Sequence, residues 1–178
     1  MYMKIFVCNI CGEVYLGTGM PPSCPFCGVS PKQLKLAYDW EDTNAGVVLS
    51  EKSKKNLEDA LQLELSNTAF YFCAADKLAN KEAAKMFKGL AKVEREHASV
   101  FKKLLKLDAM PEVKEECPED PAECIEQSYQ RENRAVAFYA KALAEATEAR
   151  VREVFEAIMN VEKDHIALDE EMKKKFEK

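Results

Sequence analysis

From residue 51 onward, apolar positions recur at alternating three- and four-residue spacing, the mark of helices with one buried stripe. The first stripe reads Leu57, Leu61, Glu64, Thr68, Tyr71, Ala75, Leu78, and the second Ala83, Phe87, Leu90, Glu94, His97, Phe101, Leu104. The third reads Ile125, Tyr129, Glu132, Val136, Tyr139, Leu143, Ala146, and the fourth Val151, Phe155, Ile158, Glu162, His165, Asp169, Met172. They predict helices over about 51–79, 82–107, 121–147 and 149–176. Ser50 stands where the first helix needs an N-cap, and Asn80 fits the turn into the second. Asp120-Pro121-Ala122-Glu123 starts the third with a cap, a proline at N1 and a carboxylate three residues after the cap. Before it, Asp108 to Asp120 carries Pro111 and Pro118 and does not continue a helix. That joint exceeds the roughly 2–8 residues usual in bundles, so it can travel from one end to the other.

The polar residues on the stripes carry the chemistry. The two helix pairs repeat at an offset of 68 residues: Glu64 matches Glu132, Ala69-Phe70-Tyr71 matches Ala137-Phe138-Tyr139, Phe87 matches Phe155, Glu94 matches Glu162, and His97 matches His165. His97 and His165 are the only histidines of the chain. Four glutamates aimed into one apolar core would repel or take up protons. Two divalent cations balance them, with two neutral imidazoles as further ligands. The i, i+3 spacing of Glu94/His97 and Glu162/His165 puts each pair on one helical face. A Glu from each of two helices plus Glu-x-x-His from each of two others is the arrangement of di-metal carboxylate bundles. With the long crossover, it predicts a ferritin-like four-helix bundle. Tyr71 and Tyr139, two turns after Glu64 and Glu132, read either as core tyrosines or as hydroxyls holding a ligand carboxylate across the bundle.

Residues 1–35 differ in character, with four of the six glycines, four of the seven prolines and a short apolar run, Ile5-Phe6-Val7. Cys8-x-x-Cys11-Gly12 and Cys24-x-x-Cys27-Gly28 are two knuckles whose four thiolates suit one tetrahedral metal ion, zinc or iron. The chain therefore divides into a four-cysteine module over 1–36, a linker over 37–50 and a bundle over 51–178.

Charge and cysteine usage narrow the setting. A net charge of −5 argues against nucleic acid as a partner. No apolar run reaches the ~18 residues of a membrane span, and MYMKIFVCNI lacks the apolar core of a signal peptide. A cytoplasmic protein is expected, with its cysteines used for metal or redox chemistry rather than disulfides. Cys73, Cys117 and Cys124, which have no counterparts in the repeat, are expected to be small apolar side chains kept reduced.

Together these residues resemble rubrerythrins, which join a rubredoxin-like iron module to a ferritin-like di-iron bundle. The stretch from Cys8 through Tyr15, Gly17-Thr18-Gly19 and Pro22 to Cys27 is similar to the family's short rubredoxin module, and Glu64, Glu94, His97, Glu132, Glu162 and His165 match its di-iron ligands. The module comes first, as in reverse rubrerythrins. One position departs from the family: the second carboxylate of the third helix, one turn after the residue matching Glu132, is Ala135. The resemblance implies one iron in the four-cysteine site, two in the bundle, and a peroxidase that reduces hydrogen peroxide to water. Its electrons would derive from NAD(P)H through a rubredoxin or a rubredoxin reductase. A ferroxidase, iron-storage or oxygen-reducing protein, with zinc as a structural ion in the cysteine site, is the alternative, and a metal-stabilised sensor a third. The module is expected beyond one end of the bundle, so that a homodimer or higher oligomer would supply electrons between subunits.

Overall fold

The computed structural model describes residues 2–176. The N-terminal module is a small antiparallel sheet of β1 (Lys4–Cys8), β2 (Val14–Gly17) and β3 (Leu34–Leu36), in the order β2-β1-β3. Its register, Lys4 opposite Gly17 and Cys8 opposite Leu34, sets the first knuckle at the end of the central strand. Gly12 and Gly28 close the two knuckles at φ 79° and 76°, a left-handed conformation that a side chain would strain. Their N–H groups donate to the carbonyls of Cys8 and Cys24.

Four helices follow: α1 (Glu51–Lys77), α2 (Lys81–Leu105), α3 (Pro121–Glu145) and α4 (Ala149–Phe176). Ser50 and Asp120 cap their helices as the sequence predicts, and Asn80, expected only in the turn, also caps α2. Ser50 Oγ accepts from Ser53 N, Asn80 Oδ1 from the N–H groups of Glu82 and Ala83, and Asp120 from Glu123 N. The first three helices end two residues before the expected limits, and α4 is helical to Phe176, the last described residue; Lys106, which follows α2, takes the left-handed conformation at φ 55°.

The segment from 106 to 120 crosses the length of the bundle. It starts where α2 ends and runs along α1, where Ser66 Oγ donates to Glu115 and Lys77 to the Cys117 carbonyl. Arg131 of α3 donates to Ser66 and to Glu115. The crossover thus covers the α1/α3 face and leaves those helices antiparallel, with Asn56 beside Glu145 and Glu64 beside Tyr139.

Two expectations are corrected here. Cys73 and Cys117 are not separate thiols: the crossover lays Cys117 against α1, with Cα atoms 5.9 Å apart, and the two are joined as a disulfide. Spacing alone did not reveal it, because the contact depends on the path of the crossover. Cys124 stays free and buried, its thiol donating to the Pro118 carbonyl. The four-cysteine module, in turn, does not sit beyond one end of the bundle. It packs along the α2/α4 face, with Cys8, Ile10 and Cys27 in one apolar core with Leu57, Phe101 and Val161. A Cβ at Gly28 would lie 2.9 Å from Val161, so the module's backbone touches α4 directly. Lys103 of α2 donates to the Cys11 carbonyl, and Arg150 of α4 to the Asn9 carbonyl, each at 2.6 Å.

Candidate metal centres

The four thiols meet as one buried cluster. Cys8 and Cys27 sulfurs stand 3.7 Å apart, and Cys11 and Cys24 sulfurs 3.8 Å. Metal–sulfur bonds of about 2.3 Å in a tetrahedron separate the sulfurs by about 3.8 Å, so the quartet has the dimensions of a single-ion site. Hydrogen bonds within the quartet pull the thiols of Cys8 and Cys24 down and push those of Cys11 and Cys27 up. Without an ion the four share protons. With one, they can all be thiolates.

The second cluster lies at mid-bundle, where the stripes of all four helices converge. Glu64 of α1, Glu94 and His97 of α2, Glu132 of α3, and Glu162 and His165 of α4 are all buried. They form two overlapping groups, Glu64/Glu94/His97/Glu162 and Glu94/Glu132/Glu162/His165. Glu94 and Glu162 belong to both. Each turns a different oxygen to each side: His97 Nδ1 is 3.1 Å from Glu94 Oε2 and 3.0 Å from Glu162 Oε1, while His165 Nδ1 is 3.0 Å from Glu94 Oε1 and 2.9 Å from Glu162 Oε2. Ligand atoms bonded to one ion at about 2.1 Å and at right angles lie about 3 Å apart. Two ions would be held side by side, with Glu94 and Glu162 available to both, Glu64 and His97 to one, and Glu132 and His165 to the other.

The electrostatics point the same way. Glu64 Oε2, Glu94 Oε1, Glu132 Oε2, both oxygens of Glu162 and His165 Nδ1 are buried without hydrogen-bond partners, a costly arrangement that cations would relieve. Burial, reinforced by Glu94 and Glu162, pushes Glu64 and Glu132 well above the usual carboxylate range. Burial opposes protonation of His97, but Glu162 and Glu94 outweigh it and push its pKa up to about 10. Metal-free, the cage holds itself together with protons, and divalent ions would replace them. The residues present thus fit two irons in the bundle and one in the cysteine quartet.

Tyr71 and Tyr139 both reach across the bundle: Tyr71 donates to Glu132 Oε1 and Tyr139 to Glu64 Oε1. Each hydroxyl thus holds the terminal carboxylate of the opposite half. Ala135 is fully buried in the apolar core, so the third helix adds no second carboxylate.

The two ends of the cage differ in what surrounds them. His97 is fully buried, and its Nε2–H donates to the Cys27 carbonyl at 2.9 Å, given that Nδ1 faces the carboxylates. One hydrogen bond therefore joins a cysteine of the quartet to a histidine of the cage. His165 is 8% exposed and borders a cleft of about 640 Å³ lined by Phe26, Met86, Leu90, Val93, Leu168 and Met172. A second cleft, between the module and α4 near Pro31 and Glu153, reaches none of these side chains.

Asp169 and Ser128 went without a role in the sequence pattern, yet both are fully buried beside Tyr71. The available signal was a charged residue on an apolar stripe.

A family model described as Rubrerythrin matches residues 55–173. Reverse rubrerythrin-1 of Clostridium acetobutylicum is 32% identical in a 113-residue match that covers 58% of this chain and 62% of that protein. The match thus spans less than two thirds of the relative's length. A hypothetical protein from Pyrococcus furiosus shares the fold with a TM-score of 0.59 at 19% identity, over 68% of this chain and 88% of that one.

Proposed function

The chain belongs to the rubrerythrin family, and we propose that it is a non-haem di-iron peroxidase that reduces hydrogen peroxide to water. The observation that carries this reading is the bond between His97 and the Cys27 carbonyl. It sets an electron-carrying site and a two-ion cage one hydrogen bond apart, which storage or structural roles do not require. In this reading Cys8, Cys11, Cys24 and Cys27 hold one iron, and Glu64, Glu94, His97, Glu132, Glu162 and His165 hold two. When bound, the irons supply Lewis acidity and one-electron steps.

The rest is the work of the chain. Glu94 and Glu162 fix the separation of the two ion positions. Tyr71 and Tyr139 hold Glu132 and Glu64 in place, and the aromatic walls of Phe87, Phe101 and Phe155 exclude water. The cleft at His165 is the path for peroxide, and the quartet behind His97 is the path for electrons. Those electrons come from NAD(P)H through a rubredoxin or a rubredoxin reductase in the cytoplasm. A homodimer or larger oligomer remains part of the proposal, but the contact between His97 and Cys27 lies within one chain, so electron delivery does not depend on a partner subunit.

Buried Ala135 favours a second reading, an oxygen-reducing or ferroxidase centre, because it removes the family's extra carboxylate. The test is anaerobic reduction of iron-loaded protein followed by peroxide or oxygen, with the absorbance of both centres monitored. Reoxidation of both centres faster by peroxide than by oxygen is expected. The opposite order, or zinc in the cysteine quartet of the purified protein, would overturn the proposal.

A further inference from the structure

The chain asks two opposite things of its cysteines. The quartet needs four reduced sulfurs to hold an ion, whereas Cys73 and Cys117 are oxidised to a disulfide. One compartment serves both when the quartet is shielded by its ion and the pair opens and closes. The repeat sets Lys141 opposite Cys73, so the bond belongs to the first half alone.

The bond fastens the crossover where it passes the cage. Two residues before Cys117, Glu115 accepts from Ser66 of α1 and from Arg131 of α3, the residue next to Glu132. Lys77 donates to the Cys117 carbonyl. Beneath the crossover, Leu65, Thr68, Phe72, Pro111 and Val113 line a cleft of about 420 Å³. Thr68 lies one turn after Glu64 on the same stripe, and its buried Oγ1 has no partner. This cleft therefore approaches the cage from the side away from the module. The disulfide is the covalent fastening of the segment that covers it, and the others are polar contacts.

We propose that Cys73 and Cys117 form a reversible oxidation site, closed by hydrogen peroxide and opened by a dithiol, whose closed state straps the crossover down and slows exchange of the bundle's iron. The proposed function enters only through its oxidant and its iron. Cys73 is half-buried and Cys117 is 8% exposed, so Cys73 is the sulfur a reagent reaches first. Lys77, one turn after Cys73, places a cation beside the pair, which favours the thiolate.

In closing, the Cys73 thiol gives up its proton and its sulfur attacks one peroxide oxygen. The O–O bond breaks, an S–O bond forms, and the departing hydroxide takes up a proton as water. The Cys117 sulfur then attacks the Cys73 sulfur, the S–O bond breaks, and the second oxygen leaves as water with the Cys117 proton. Two thiols are oxidised by two electrons and one peroxide becomes two waters. In opening, a dithiol attacks the Cys73 sulfur, passes through a mixed disulfide, and leaves oxidised with both thiols restored. Cys124 stands aside, although its thiol donates to the carbonyl of Pro118, beside Cys117. Burial, with Glu123 and Asp120 and against Lys77, pushes that thiol up to about 11, so it stays protonated.

The test uses full-length, iron-loaded protein without air. It is treated with dithiothreitol, freed of it, and exposed to hydrogen peroxide, with alkylation after denaturation read residue by residue by mass spectrometry. Cys73 and Cys117 should take the label after dithiothreitol and lose it after peroxide, while Cys124 takes it throughout. A pair that stays closed in the folded protein, does not reclose with peroxide, or bonds to Cys124 instead would overturn the proposal. Loss of bundle iron to a chelator should be on the order of tenfold faster from the open form, less than the full disulfide constraint because the polar contacts remain. Cys117→Ser should lose iron at the fast rate with or without reductant, which separates the strap from any direct effect of dithiothreitol. Equal loss from open and closed wild type would overturn the strap, whether or not the variant folds. A metal centre that leaves peroxide unreduced would overturn the functional reading instead, and labelling and iron loss would still decide the pair.

Discussion

The two halves of the bundle carry the same ligands in different surroundings. His97 and His165 are equivalent in the repeat and face the same two carboxylates at nearly equal distances. Yet His97 is sealed under the four-cysteine module and bonded to it, whereas His165 opens on a cleft. Both tyrosines pack against phenylalanines, Tyr139 against Phe101 and Phe155 and Tyr71 against Phe70 and Phe87, but only Tyr71 also meets Ser128, which is bonded to Asp169. Duplication thus explains a symmetric cage, and what packs against each half assigns it a task. In the proposed reading, one end takes electrons and the other takes substrate.

The largest effect should separate bridging from terminal carboxylates. Glu94→Ala or Glu162→Ala removes a ligand from both ion positions and should abolish iron binding in the bundle. Glu64→Ala or Glu132→Ala should leave one position intact. Iron analysis per chain, with the cysteine quartet as internal standard, distinguishes the two outcomes, and equal losses would contradict the assignment of bridges.

The covered faces also differ, since the crossover is held by a covalent bond and the module by packing and its metal site. Cys73→Ser or Cys117→Ser should cost about 2–4 kcal/mol, for a loop closed over 44 residues. The measurement is denaturant unfolding with and without reductant, and reductant should destabilise only the wild type.

A pair of glycine variants targets the two ends of the cage. Gly28→Ala meets Val161 at 2.9 Å and is strained at φ 76°. It should cost about 1–3 kcal/mol and slow electron passage from the quartet to the bundle while leaving bundle iron unchanged. Gly89→Trp on α2 projects into open space at the cleft. It should slow oxidation by peroxide and leave electron passage alone. Stopped-flow absorbance follows both steps, and the same effect from both variants would remove the distinction.

The smallest effect expected is the pH dependence of metal-free stability. The His97 pKa is raised to about 10, so its contribution is complete below the unfolded value near 6.5 and lost as pH rises through 10. Asp169, raised from 3.8 to about 7, contributes fully below 3.8 and loses that contribution as pH rises through 7. Thermal melts of the metal-free protein should therefore weaken from acid to alkaline pH. Iron displaces the His97 proton, so loading should abolish the upper step.

The helices, their caps and the crossover were legible because each rests on local signals: a stripe every three or four residues, Ser50, Asn80, Asp120-Pro121. All six cage residues and the four cysteines were legible too, since a repeat of 68 residues and two Cys-x-x-Cys knuckles need no knowledge of distant contacts. Three features were not legible. The Cys73–Cys117 bond depends on the course of an irregular segment. The seat of the module depends on a fit between Gly28 and Val161 that leaves no periodic trace. Asp169 lies on a visible stripe, but the repeat sets it opposite Phe101 and so hides its partnership with Ser128.

The sequence by itself determined which side chains would be buried together, because helical periodicity decides the face on which a residue lies. Only the tertiary structure decided their places: Glu94 and Glu162 shared by both groups of the cage, His97 joined to Cys27, His165 open to a cleft, Asp169 bonded to Ser128 beside Tyr71. Those roles depend on how four helices are rotated about their axes and on which surface covers each, and neither is encoded in the spacing of any one helix.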